Sequence, residues 1–167
     1  MNELYHYGVL GMKWGVRRYQ PYGSGGYTPK SKVKIKNISS YSDIVKSKKK
    51  VDKIVNSLTK DEKDKFGLHE SGDYLTMEDC KYVVNRTLAT YGKTPVAFFD
   101  VFNDTDHVNI AISTINDPKF RQKGYAKKVA KEGMNWVMSN KDALNKNSMV
   151  WGVRTDNAAS IAEFTSS

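Results

Sequence analysis

HVNIAISTINDPKFRQKGYAKKVAKEGMNWVMSN, from His107 to Asn140, changes period in its middle, and that change decides the fold. Branched and apolar residues run as a strand from His107 to Ile115, and NDPKF breaks the run. From about Gly124 to Asn140, Ala126, Val129, Ala130, Gly133 and Val137 then recur at helical steps, with Lys127, Lys128, Lys131 and Glu132 opposite. Upstream, PVAFFDVF (Pro95 to Phe102) is a second strand, joined to the first by NDTD as an antiparallel hairpin. Downstream, MVWGVR (Met149 to Arg154) is a third, and Asn157 to Phe164 a last helical turn or two.

Earlier in the chain, Ser40 to Ser42 offer caps to a surface helix whose apolar face is Ile44, Val45, Val51, Ile54, Val55 and Leu58. Thr59 and Glu62 form a capping box for a short second helix that Gly67 ends. Thr76 caps a predicted third, with Met77, Cys80, Val83, Val84 and Leu88 at three- and four-residue steps until Tyr91 and Gly92. KVKIKNI (Lys32 to Ile38) reads as a short edge strand or as linker. The order gives an α+β fold, with helices packed on a mixed, largely antiparallel sheet.

The 167 residues suit one domain, or a smaller domain with a tail. Charge is uneven: of the net +9, residues 1–60 carry +10 and residues 61–167 carry −1. Residues 1–31, rich in glycine and tyrosine and hinged at GSGG (Gly23 to Gly26), keep no regular period and read as an extension that lies along a surface or stays mobile. Residues 32–167 are the expected domain, with its core in 95–164. Cys80 is the single cysteine, so no internal disulfide forms, and on the inward face of a helix it reads as a small apolar residue. His6, His69 and His107 have no ligand spacing, and no metal site is expected. No apolar run has the length of a signal peptide or a membrane span, so neither secretion nor a transmembrane location is expected.

RQKGYA, Arg121 to Ala126, carries the chemistry. A helix start presents unpaired backbone N–H groups at its positive end, where a phosphate fits if the backbone can come close. Gly124 and Ala126 permit that approach, and Lys119, Lys123, Lys127 and Lys128 raise the local potential. The same six residues also read as a plain helix start on a solvated basic face. Neither GxxxxGK[ST] nor GxGxxG occurs, which disfavours kinases and dinucleotide enzymes.

In this setting RQKGYA resembles the hallmark of the GCN5-related N-acetyltransferases (GNAT): Arg or Gln, two residues, Gly, one residue, Gly or Ala. Arg121, Gly124 and Ala126 match. The resemblance implies acetyl-CoA as cofactor. Its pyrophosphate would lie on Arg121, Gln122, Lys123, Gly124, Tyr125 and Ala126, and its pantetheine beside Ile115 and Asn116, in a cleft left by a splayed strand. VRTDNAASIAEF (Val153 to Phe164) looks like the family's next strand, its Asn (Asn157) and the helix after it. The family normally adds two more strands beyond this point, so the sheet is expected to be C-terminally shortened. A partner chain, including a second copy of this one, covers the edge, or the cleft stays open, or transfer is lost while the fold persists; the liability of an unpaired edge favours the first.

Acetyl transfer to an amine needs a neutral amine, a polarised thioester carbonyl and a proton for the leaving thiolate. A backbone N–H near Ala111 to Ser113 would serve the second need. Asp106 and His107 are candidates for the base, against their reading as a turn Asp and an exposed His. Many members carry a Tyr seven residues after the helix Asn; Phe164 stands there without a hydroxyl, leaving Ser160 on the same helix as a candidate acid.

YHYGVLGMKWGVRRYQ (Tyr5 to Gln20) interleaves rings, glycines and cations, a mixture suited to nucleic acid or to a groove on a partner. It resembles a short N-terminal signature of phage and prophage proteins encoded near head genes, which implies capsid partners and a place in the host cytoplasm or the virion. Two functions follow: an acetyl-CoA-dependent N-acetyltransferase, or a GNAT-fold head-associated protein, without transfer, that binds capsid partners or DNA through residues 5–20.

Overall fold

The computed structural model describes residues 3–9, 32–66, 68 and 72–154. In chain order its elements are β1 (Glu3–Val9), β2 (Val33–Ile38), α1 (Tyr41–Asn56), α2 (Lys60–Phe66), one 3-10 turn (Asp79–Tyr82), β3 (Val83–Tyr91), β4 (Thr94–Asn103), β5 (Val108–Thr114), α3 (Tyr125–Ser139), α4 (Lys141–Leu144) and β6 (Ser148–Arg154). The strands form a single sheet in the order β1-β6-β5-β4-β3-β2, antiparallel throughout except between β5 and β6. This is the mixed α+β architecture expected from the pattern of the sequence.

Alternation along β4 separates the two faces. Phe98 and Asp100 point to the α1 side, where Phe98 meets Tyr74 at 5.3 Å between ring centroids. Phe99 points to the α3 side, and a Cβ placed on Gly133 would come within 2.2 Å of its ring. Glycine at 133 therefore lets α3 lie directly on the sheet. Val129 and Val137 of α3 and Ile44, Val51, Ile54 and Val55 of α1 are buried against these faces, each contributing on the order of 1.5–3 kcal/mol. The Ser40 hydroxyl accepts the Asp43 N–H at the start of α1, and the Thr59/Glu62 capping box closes reciprocally at 2.9 and 3.2 Å.

Arg86 and Asp100 face each other across β3 and β4, fully buried. The guanidinium donates through Nε and Nη2 to the two carboxylate oxygens, at 2.7 Å each, and through Nη1 to Ile44 O and Ser47 Oγ of α1. The Tyr74 hydroxyl donates to Asp100 at 3.1 Å, and burial, then the Asp100 charge, pushes its pKa well above the ordinary value. The network ties α1 to the two central strands.

Two expectations are corrected. The predicted third helix, Thr76 to Leu88, is a single 3-10 turn followed by strand β3. Thr76 does cap, accepting the Asp79 N–H at 3.2 Å, but Val83 onward joins the sheet between β2 and β4. Neighbours cover both faces of β3, so its apolar residues do not alternate, and steps of three and four arise without a helix. The β6 edge, expected to need another chain, is paired with this chain's own β1, from Glu3 opposite Arg154 to Val9 opposite Ser148. The strand lies within the extension that showed no period, because its pairing depends on a distant edge and not on its own pattern. The helical turn expected over 157–164 lies outside the described residues.

Candidate functional site

β5 pairs with β4 along its whole length, from Val108 opposite Asn103 to Thr114 opposite Ala97. β5 and β6 pair only at Val108 with Met149 and Asn109 with Val150, then part. A cleft opens between them toward their C-terminal ends. The Ile115 N–H donates to Val96 O at 2.9 Å, toward β4. Alternation back along the regular ladder therefore turns the N–H groups of Ile110, Ile112 and Thr114 to the cleft edge. Of the Ala111 to Ser113 stretch expected to polarise a carbonyl, Ile112 is the residue whose N–H faces the opening.

The chain leaves β5 through Asn116 to Gly124 and enters α3 at the mouth of this cleft. The loop has two left-handed residues, Gln122 at φ 57° and Gly124 at φ 70°. The first helical N–H to find a backbone acceptor is that of Lys128, on Gly124 O at 3.1 Å; among the described residues, the N–H groups from Gln122 to Lys127 have none. A Cβ on Gly124 would meet no atom within 4 Å, so the space before the helix is open. Tyr125 is buried, with its ring 6.4 Å from Phe120, while Arg121, Gln122, Lys123 and Gly124 are exposed and Ala126 half-buried. Exposed Lys123, Lys127 and Lys128 flank these free N–H groups, so the loop presents donors and positive charge to the open space before the helix.

Two contacts that the sequence could not disclose tie this loop to the helices before the hairpin. Arg121 forms an ion pair with Glu62 of α2. Burial works against the Glu62 carboxylate, but the Thr59 N–H and the Arg121 guanidinium outweigh it and hold its pKa below the ordinary value. The Asn116 N–H, next to face the cleft edge after Thr114, donates to Ser57 Oγ at 2.8 Å, while the Ser57 hydroxyl donates to Ile54 O at 2.6 Å. Ile115, expected beside the pantetheine, has its side chain in the core at 6% exposure. Of the two residues named for that role, Asn116 alone presents its backbone to the cleft.

Asp106 and His107 lie at the closed end of β5, about 20 Å of strand away from the loop. His107 Nδ1 is 2.6 Å from Asp106 Oδ1, and the hydrogen bond, then the imidazole charge, lowers the Asp106 pKa. Around them Asp104 N–H donates to His107 O and Lys146 Nζ to Thr105 O. These bonds fasten the β4–β5 turn, the structural role weighed against catalysis. Asn157 and Ser160 lie outside the described residues. Cys80 is buried, its Sγ on Thr76 O, and burial raises the thiol's pKa, so it is no nucleophile. No group of three or more His, Cys, Asp or Glu suited to a metal occurs among the described residues, and no helix of them is long and apolar enough to cross a membrane.

The fold is similar to that of several solved acetyltransferases. Covering 80% of this chain in each case, the similar solved structures include a GNAT-family acetyltransferase from Streptococcus pneumoniae (15% identity, 82% of that chain, TM-score 0.58). Another is the aminoglycoside N-acetyltransferase AAC(6')-Iy in complex with CoA (14%, 85%, 0.54). A third is yncA from Salmonella typhimurium with its cofactor acetyl-CoA (12%, 77%, 0.53). At these identities the likeness is one of fold. Residues 1–21 match the model of a family described as a family of unknown function (DUF7211). Comparison with curated protein sequences returns no match.

Proposed function

We propose that the protein is an acetyl-CoA-binding N-acetyltransferase acting on an amine. The observation that carries this reading is the run of unpaired N–H groups from Gln122 to Lys127, opening on empty space at the mouth of the β5/β6 cleft. Bound there, acetyl-CoA would supply an activated acyl thioester. Residues 122–127 would hold its diphosphate, Gly124 by lacking a side chain and Lys123, Lys127 and Lys128 by their charge. Arg121, held by Glu62, positions the loop against α2 with its guanidinium partly exposed beside the diphosphate position. The Ile112 N–H is oriented to polarise a carbonyl in the cleft, and Asn116 to receive the pantetheine once Ser57 releases its N–H. Asn157, by resemblance, completes the site. We assign proton transfer to neither Asp106 nor His107. Native mass spectrometry of the freshly purified protein tests the reading: a copurified coenzyme at one per chain is the expected result, and its absence even after incubation with acetyl-CoA would count against it.

One observation favours a second reading, binding without transfer: Phe164, which has no hydroxyl, stands where many members of the resembled family carry a Tyr. The protein would then use residues 5–20 to reach an acidic partner, a phage head protein or DNA. Because Glu3–Val9 are part of the sheet, the test must leave them intact. Reversing Arg17 and Arg18 to Glu should abolish that association without altering acetyl-CoA binding; unchanged association would discard it.

A further inference from the structure

At the opposite end of the sheet from the cleft, β2, β3 and α1 line a half-open surface cavity of about 580 Å3, with Lys34, Lys36, Lys46 and Lys50 exposed around it. The register fixes which face it lies on. Lys34 stands beside Thr90, Lys36 beside Leu88 and Ile38 beside Arg86, and Arg86 bonds to α1. Lys34 and Lys36 therefore rise on the side that α1 covers. Lys46 and Lys50, one turn apart on α1, line the cavity from above, and buried Leu88 and Ile38 form its floor.

Here four lysines share one carboxylate, that of Asp43. Lys48, Lys81, Arg86 and Arg121 each have a carboxylate partner. Around this cavity Asp43 pairs with Lys46 at 3.4 Å and also feels the charge of Lys36, while Lys34, Lys36 and Lys50 form no direct ion pair among the described residues. Lysines on an edge strand deter further pairing, but that role explains neither the two on α1 nor the convergence of both pairs on one hollow, where they repel.

We propose that this cavity binds a phosphate-bearing polyanion. Ammonium groups on flexible stems act as point charges that suit phosphate, whereas planar recognition of a carboxylate favours a guanidinium. The lysine stems, with Leu88 and Ile38, accommodate the ligand's organic part. The source is either a free oligophosphate or a nucleic-acid backbone, and the site is independent of the loop before α3.

Titrating the full chain at low salt with inorganic tripolyphosphate and, in parallel, with a short DNA duplex tests this. Lys36→Gln with Lys50→Gln removes two cavity charges; Lys49→Gln with Lys53→Gln removes the same charge from exposed positions of α1 outside the cavity. The first double variant should weaken whichever probe binds by roughly tenfold or more, and the second by no more than about twofold. For the duplex, the salt slope should also fall by about two. Binding of tripolyphosphate identifies a free anion as the source, and binding of the duplex alone a nucleic-acid backbone. If neither probe binds, or both double variants lose affinity equally, the proposal is overturned.

Discussion

The two halves of the sheet are built on opposite terms. β3 and β4 are paired from end to end, covered on both faces and bolted by the Arg86–Asp100 fork. β5 and β6 are paired for two residues and then separate, and the loop that follows keeps its N–H groups unsatisfied. Exposed donors at a helix start are met by water, so leaving them open is compatible with a sheet whose stability is concentrated in its first half.

Replacing Asp100 with Asn attacks the first half most severely. It leaves the buried Arg86 charge uncompensated and should cost about 3–5 kcal/mol in chemical denaturation; a loss below about 1 kcal/mol would mean that the fork does not hold the sheet. Gly133→Ala drives a methyl group into the Phe99 ring and should cost about 1–3 kcal/mol.

These two residues also mark the limit of what the sequence disclosed. The hairpin, α3 and β6 could be read because each carries its own period or turn, and RQKGYA because its chemistry is local. β3 could not: Arg86 and Thr87 look like surface residues, and only a partner 14 positions away makes Arg86 a core residue. The branched Val83, Val84, Thr87 and Thr90 were the available signal, and the helical steps concealed it. β1 has no apolar alternation and is ordered by β6. At the site, Ser57–Asn116 and Glu62–Arg121 each join residues 59 positions apart, a separation that motif reading does not reach.

Smaller effects sharpen the second half. Ser57→Ala frees the Asn116 N–H and should lower stability by about 1 kcal/mol while tightening acetyl-CoA binding a few-fold. Weaker binding would make the Ser57 hydroxyl a ligand contact instead of a competitor. The Glu62 pKa is depressed below its ordinary 4.5, so its pairing with Arg121 stabilises the fold above that pH and is lost as pH falls through the folded value. Its partial exposure keeps the effect under about 1 kcal/mol in a thermal melt followed from neutral to acid pH. Glu62→Gln should reduce the dependence, leaving the part that the depressed Asp43 and Asp106 contribute, and an unchanged dependence would place its origin elsewhere.

Calorimetry with acetyl-CoA on the native chain and on Gly124→Leu tests the division of labour most directly. The account expects saturable binding of one coenzyme to the native chain. The variant, whose leucine would fill the open space at a left-handed position, should bind at least roughly tenfold more weakly and lose only about 1–2 kcal/mol of stability. No heat from the native chain, or equal affinity in the two, would contradict it.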